Sequence, residues 1–244
     1  MNSTFPANSY SDGIGFSDLP VAIRKPVEAA RGLPNPTAIE KVAAAFTRLI
    51  EIVLATVALV VTGPIMLLVA IIIRFDSPGA ALFWQKRVGR NGHLFWFCKF
   101  RTLKANAREL YPELYRYDYT PEEIEGLQFK NDADPRVTQA GRWLRRSTLD
   151  ELPNFWNLLR GDIALVGPRP EIPEMLSYYS TEQLIKFSVK PGITGIAQTS
   201  GRGRLKFQQT NTFDVEYVRN KSFWLDCKII LKTIKLVVRL DGAF

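Results

Sequence analysis

The stretch Ile52–Ile73, IVLATVALVVTGPIMLLVAIII, decides how the rest of the chain is read. It carries no charged side chain over 22 residues. As a continuous helix it would be about 33 Å long, enough for a hydrocarbon core of about 30 Å. Gly63-Pro64 falls near its middle. Proline removes a backbone donor and crowds the carbonyl four residues back, here that of Val60, so a kink is predicted. Each half then reaches about 15 Å, half the bilayer. Both flanks are basic, with Lys41 and Arg48 before the run and Arg74, Lys86, Arg87 and Arg90 after it. A simple crossing should concentrate positive charge on one side. Two geometries stay open: a re-entrant hairpin that dips into the bilayer and returns, and a kinked spanning helix, which tolerates proline.

Outward from this run, residues 1–36 are rich in Pro, Ser, Asn and Gly and read as a flexible tail. They lack the basic start and apolar stretch of a secretory signal. Residues 37–74 form the membrane region and 75–244 a separate domain. Within that domain Ser77-Pro78-Gly79 is a turn, and Arg90-Asn91-Gly92 reads as a hairpin turn between aromatic-rich strands. Helical stretches are predicted around Ala105–Tyr115, Pro121–Leu127, Ile172–Ser180, Thr181–Phe187 and Phe207–Asn220, with a loop over Lys190–Gly195. Phe223–Leu240 is a basic amphipathic helix whose Lys228, Lys232, Lys235 and Arg239 recur at spacings of four, three and four. Such a helix suits a membrane interface, and packing on the core is the plainer alternative. The fold class that follows is α+β, predominantly helical, with a small β-hairpin.

The net charge of +8 points to an anionic partner: nucleic acid, an acidic membrane surface or a phosphorylated substrate. One histidine, His93, leaves no two-histidine relay and few zinc sites, and it reads as a surface residue. Cys98 and Cys227 are far apart, form no CxxC pattern, and read as packing residues.

The chemistry concentrates in Ser147–Pro170, STLDELPNFWNLLRGDIALVGPRP. Thr148-Leu149-Asp150-Glu151 fits a capping box, in which the acids merely stabilise a helix start. The surrounding arginines, Arg142, Arg145, Arg146, Arg160 and Arg169, support a second reading. Neighbouring helical residues point in different directions, so the two carboxylates could divide labour. One could attack phosphorus, and the other could hold Mg²⁺, which favours oxygen ligands and phosphates. Neither a carboxylate nor a phosphate acceptor needs a general base at neutral pH. Pro168 and Pro170 fix φ on either side of Arg169, presenting a rigid guanidinium suited to bidentate phosphate binding. Lys99 and Arg101 alternate around Phe100 and would share one strand face. Gly192, Gly195, Gly201 and Gly203 permit close approach to a ligand. No P-loop or GxGxxG is present.

Five segments together resemble the bacterial sugar transferases, the monotopic phosphoglycosyl transferases: SPGAALFWQKRVGRNG, CKFRTL, DPRVTQAGRWLRRSTLDELPNFWNLLRGDIALVGPRP, VKPGITGIAQTSGR and FDVEYVRNKSFWLDCKIILKTI. They span about residues 41–240 in the expected order. The resemblance implies transfer of a sugar-1-phosphate from a UDP-sugar to polyprenyl (undecaprenyl) phosphate, releasing UMP. This would be the first membrane step of exopolysaccharide, capsule or O-antigen synthesis. It implies Asp150 as the nucleophile of a covalent phosphosugar intermediate, Glu151 as the Mg²⁺ ligand and Arg169 as a phosphate ligand. Arg145, Lys99 and Arg101 would bind substrate, and Arg202 the nucleotide. It also implies a re-entrant helix broken at proline, an interfacial seat on the bacterial inner membrane with the domain on the cytoplasmic face, and no nucleic-acid partner. Gly63 stands before Pro64 where the family often has serine, and Ala197 where a bulkier aromatic is frequent. No further block of transmembrane helices is expected.

Overall fold

The computed structural model describes residues 37–128, 133–201 and 204–238, so the proposed tail at 1–36 and Arg239 lie outside the described residues. The chain is predominantly helical with two small sheets. Helix α1, Ala38–Asp76, runs for 39 residues with Pro64 inside it, a length of about 58 Å. It continues through Pro64 as one element. Proline's fixed φ is itself helical, and the loss is one backbone bond. Thr62 Oγ1 donates to the Ala58 carbonyl at 2.7 Å, not to the carbonyl of Val60 that Pro64 leaves without its donor.

Two stretches of α1 pack on the rest of the chain. Ala55 is buried with Leu158 and Ile163. Val69 and Ile73 are buried with Phe100 and Leu144. Between and around them Val57, Val60, Val61, Leu67 and Leu68 are each more than half exposed. So large a run of bare apolar side chains marks a membrane or partner surface, and the helix is long and apolar enough to cross a bilayer.

The predicted hairpin forms. Strands β1, Leu82–Val88, and β2, Leu94–Phe100, pair antiparallel, with Phe83 opposite Lys99 and Arg87 opposite Phe95. The turn uses left-handed Asn91 (φ 57°) and Gly92 (φ 77°), the conformation that favours Asn-Gly in tight hairpins. His93 is exposed and Cys98 buried, as their sequence contexts suggested.

The segment predicted helical at 105–115 divides into α2, Ala107–Leu110, and a 3₁₀ turn, Pro112–Tyr115. Helix α3, Pro121–Gly126, carries a true capping box: Thr120 Oγ1 accepts from Glu123 N, and Thr120 N donates to Glu123 Oε2. Helices α4, Gln139–Ser147, and α5, Asn154–Arg160, bracket the Asp-Glu pair. The predicted loop at Lys190–Gly195 contains a strand. Strand β3, Ala164–Val166, pairs in parallel with β4, Gly192–Thr194. A Cβ on Gly192 would lie 2.1 Å from Gly167 N, so only glycine allows the two strand ends to close.

The two helices predicted after Pro170 are instead 3₁₀ turns, Pro173–Tyr178 and Gln183–Ser188. Met175, Leu176, Tyr179, Leu184 and Phe187 from this region form a core with Val88 and Phe207. Helix α6 covers Ile196–Gly201, α7 covers Phe207–Asn220 as predicted, and α8 covers Phe223–Val238. On α8 Ile229 is buried with Val166 and Tyr217, while Phe223, Trp224, Leu231, Ile234 and Val237 stay exposed. The helix thus packs on the core and also presents apolar side chains outward.

Candidate active site

Helix α4 starts at Thr138, whose Oγ1 accepts from Gly141 N at 3.0 Å. It ends where Thr148 turns left-handed, with φ 58° and ψ 12°. Asp150 and Glu151 then sit on a single 3₁₀ turn, Leu149–Glu151. The capping box expected at Thr148 is therefore absent. An N-cap needs an extended backbone with its oxygen free to accept, and here Thr148 Oγ1 donates to Ser147 O at 2.7 Å. At three residues per turn, neighbouring side chains diverge by about 120°, so the two carboxylates still point apart.

Glu151 Oε1 lies 3.1 Å from Arg169 NH2. Glu151 lifts the already high pKa of that guanidinium, so Arg169 stays charged. Asp150 faces the other cations and interacts electrostatically with Lys99, Arg145 and Arg169. Arg145 is held in place by Thr102 Oγ1, 3.1 Å from its Nε, and by Asp134, 3.9 Å from its NH1. Asp134 is itself gripped by both Arg136 Nε and NH2 at 2.9 Å. Burial disfavours the charged form of Asp134, but the Arg136 bonds and charge outweigh it and hold its pKa below the usual range.

Lys99 projects from β2, with its ammonium 5.6 Å from the centre of the Phe83 ring. Burial, followed by the charge of Arg87, brings its pKa down to about 8, with Arg169 and Arg145 adding to the depression and Asp150 opposing it. Two expected residues do not join this group. Arg101 is a correction: β2 ends at Phe100, and the arginine folds back to donate to Ala80 O at 2.7 Å and to Ser77 O and Oγ at 2.9 Å. It pins the turn after α1 to the hairpin. Arg202 lies outside the described residues.

The structure adds two residues that the sequence reading passed over. Arg87, Glu151, Asn154 and Arg169 line one recess, with Phe97 and Ile193 as apolar wall. Arg87 NH1 donates to Pro170 O at 3.0 Å and NH2 to Gln85 Oε1 at 2.9 Å, while its Nε has no protein partner. Asn154 Oδ1 is likewise buried without a protein donor. A signal for Arg87 existed: once the Asn91-Gly92 turn sets the register, period-two alternation puts it on the Lys99 face.

Among the described residues, no three His, Cys, Asp or Glu side chains are grouped to hold a metal. Mg²⁺ does not need such a cage, since one or two carboxylates with substrate phosphates suffice. Asp150, Glu151 and the unpartnered Asn154 oxygen are hard donors of that kind, so the residues present fit this ion. The site as a whole sets two carboxylates among Arg87, Lys99, Arg145 and Arg169. Such an excess of fixed cations matches a polyanionic ligand.

The family model for bacterial sugar transferases matches residues 42–240. The chain belongs to that family. The chain is 40% identical over 197 residues to the galactosyl transferase CpsE of Streptococcus agalactiae serotype III, a match covering 80% of this chain and 43% of that protein. It is 38% identical over 197 residues to the undecaprenyl-phosphate galactose phosphotransferase of Salmonella typhimurium, covering 81% of this chain and 41% of the relative. It is 33% identical over 213 residues to the exopolysaccharide production protein ExoY of Rhizobium meliloti, covering 87% and 94%. The chain thus spans less than half the length of the first two relatives and nearly all of the third.

Proposed function

We propose that this sugar transferase moves a sugar-1-phosphate from a UDP-sugar to undecaprenyl phosphate, with UMP as the leaving group, at the start of exopolysaccharide, capsule or O-antigen assembly. The observation that carries the reading is Asp150 and Glu151 set among four cations, in a chain of this family. An Asp150 carboxylate oxygen bonds the sugar-bearing phosphorus as the bond from that phosphorus to UMP breaks. An oxygen of the lipid phosphate then attacks the same phosphorus and releases Asp150. Neither step requires a proton to be removed from the nucleophile. Arg169 exchanges its Glu151 partner for phosphate oxygens, and Glu151, together with the unpartnered Asn154 oxygen, would hold Mg²⁺. The ion would supply charge neutralisation on the diphosphate. Lys99, Arg87 and Arg145 oppose the charge that builds up on the phosphoryl oxygens.

The acceptor is a lipid, so the site belongs at the headgroup layer. The bare middle of α1 and the exposed Phe223 and Trp224 of α8 suit insertion there. Docking of both halves of α1 onto one domain favours the re-entrant geometry, with that domain on the cytoplasmic face of the inner membrane.

Incubation with a panel of UDP-sugars, Mg²⁺ and undecaprenyl phosphate should release UMP and yield a lipid-linked sugar diphosphate. Asp150→Asn should lower turnover by at least about 10³-fold and remove any covalent phosphosugar adduct. UMP release at the wild-type rate in that variant would sink the nucleophile assignment. Glu151→Gln should raise the Mg²⁺ concentration needed for half-maximal activity, and an unchanged metal response would move the ligand elsewhere.

A further inference from the structure

Beneath Arg169 runs a chain of buried polar groups that no step above uses. Asp214 on α7 and Lys186 in the 3₁₀ turn Gln183–Ser188 are each 1% exposed and pair at 2.7 Å. The Lys186 ammonium also donates to Tyr179 Oη at 3.1 Å. Tyr179 Oη donates in turn to Glu171 Oε2 at 2.8 Å. Glu171 Oε1 accepts from Ile172 N at 2.9 Å and lies 3.9 Å from Arg87 NH1. Arg87 NH1 reaches Pro170 O. At the other end, the backbone N–H of Arg169 is close enough to favour the ionised form of the Asp214 carboxylate. The chain therefore runs from Asp214, beside the Arg169 backbone, through Lys186, Tyr179 and Glu171 to Arg87 and Pro170.

Removing two charges from water costs several kcal/mol per ion, and apolar side chains of similar volume would often pack as well. Fill alone therefore does not explain a lysine and an aspartate here. The chain does reach the segment after Arg169 through Glu171 and the guanidinium of Arg87, and it ends at Asp214 beside the Arg169 backbone. Pro168 and Pro170 already lock φ beside Arg169, and Val88 N donates to Glu171 O at 2.8 Å to tie the segment to the hairpin.

We propose that Asp214, Lys186, Tyr179 and Glu171 are positioning residues, forming a buried brace that holds Arg169 and Arg87 at the spacing the donor's diphosphate requires. The proposal rests on the phosphoryl-transfer reading above. It separates two roles in this site: Arg87 and Arg169 touch substrate, and the four bracing residues act only through them.

Tyr179→Phe is the decisive variant. It keeps the ring, which packs edge-on at 5.5 Å from Phe187 and 5.1 Å from Phe207, and removes the hydroxyl that joins Lys186 to Glu171. Hydrogen exchange at the Arg169, Glu171 and Ile172 amides should quicken by about tenfold while β2 keeps its protection. The kcat/KM for the UDP-sugar should fall by about tenfold, and by less than about twofold when the change is made in an Arg87→Lys background, because coupled residues are not additive. Glu171→Gln, which weakens the hold on Arg87 but keeps an acceptor for Tyr179, should show the same non-additivity. Unchanged exchange at those amides, faster exchange throughout the core, or fully multiplicative kinetic effects would overturn the brace. A wild-type enzyme that releases no UMP from any UDP-sugar would instead overturn the reaction, and the exchange measurement would still decide whether the brace holds the segment.

Discussion

Lys99 is the residue whose charge state most directly tunes the site. Its pKa of about 8, set first by burial and then by Arg87, puts its titration within the working range of an enzyme. If Lys99 binds phosphate as proposed, kcat/KM should fall as pH rises through about 8, since that parameter reports groups on the free enzyme. Stability runs the other way. Between about pH 8 and the ordinary lysine value of 10.5, the unfolded chain holds a proton that the folded chain has released, so stability rises with pH across that window. In Lys99→Arg, which stays charged, the alkaline limb of kcat/KM should disappear. A limb that persists near pH 8 in that variant would assign it to another group. Strand alternation around Phe100 places Lys99 on β2, whereas Arg101 does not follow it. Alternation on a strand is a sound rule only while the strand lasts, and this one ends at Phe100. After that point the free carbonyls of the Ser77–Ala80 turn, not strand geometry, direct the guanidinium.

At the scale of elements, the two arms of the domain hold α1 by different means. Near Phe100 and Leu144 the contact is apolar. Near α5 directed polar bonds join the apolar contact of Ala55 with Leu158. Arg48 donates to Leu158 O at 2.7 Å and Leu159 O at 2.6 Å, and Glu51 accepts from Leu165 N at 3.0 Å. Cations at a helix C-terminus satisfy carbonyls that lack intrahelical donors. Arg48→Ala should therefore destabilise the protein by about 1.5–3 kcal/mol, the range for bonds to a charged group. Thermal unfolding in detergent would register this as a lower midpoint, and an unchanged midpoint would mean the arginine adds nothing to the dock. From sequence Arg48 looked only like a positive flank, because its partners lie 110 residues away. The same limit explains the misplaced capping box. T-x-x-E occurs at both Thr120 and Thr148, and local pattern cannot separate them. Only at Thr120 is the backbone extended; at Thr148 the chain must turn sharply between α4 and α5. The hairpin, α7 and α8 were legible because their signals are local. The β3–β4 pair was not, since three-residue strands carry too little periodicity and their pairing spans the intervening loop.

For the whole molecule, the question left by the apolar run is which side each end of α1 occupies. Composition left a hairpin and a crossing open, because Pro64 is compatible with both. Tertiary contacts bear on it more strongly. Arg48 and Ala55 dock on α5 and the residues after it, and Val69 and Ile73 dock on β2 and α4, which belong to the same domain. A helix that crossed a bilayer of about 30 Å between these points would force one water-facing domain to occupy both sides of the hydrocarbon. Both ends should therefore lie on the same face, which the proposed function makes the cytoplasmic one. With Cys98 and Cys227 replaced by serine, single cysteines at Lys41 and Ser77 should resist a membrane-impermeant maleimide in intact spheroplasts. Both should react in inverted membrane vesicles. Labelling of either position from the outside would make α1 a crossing helix and remove the domain's seat on a single face. Protection of both would leave the exposed middle of α1, from Val57 to Leu68, as the part of the chain that enters the lipid. The paired carboxylates would then lie with the domain on the side where a soluble donor and a lipid phosphate can meet.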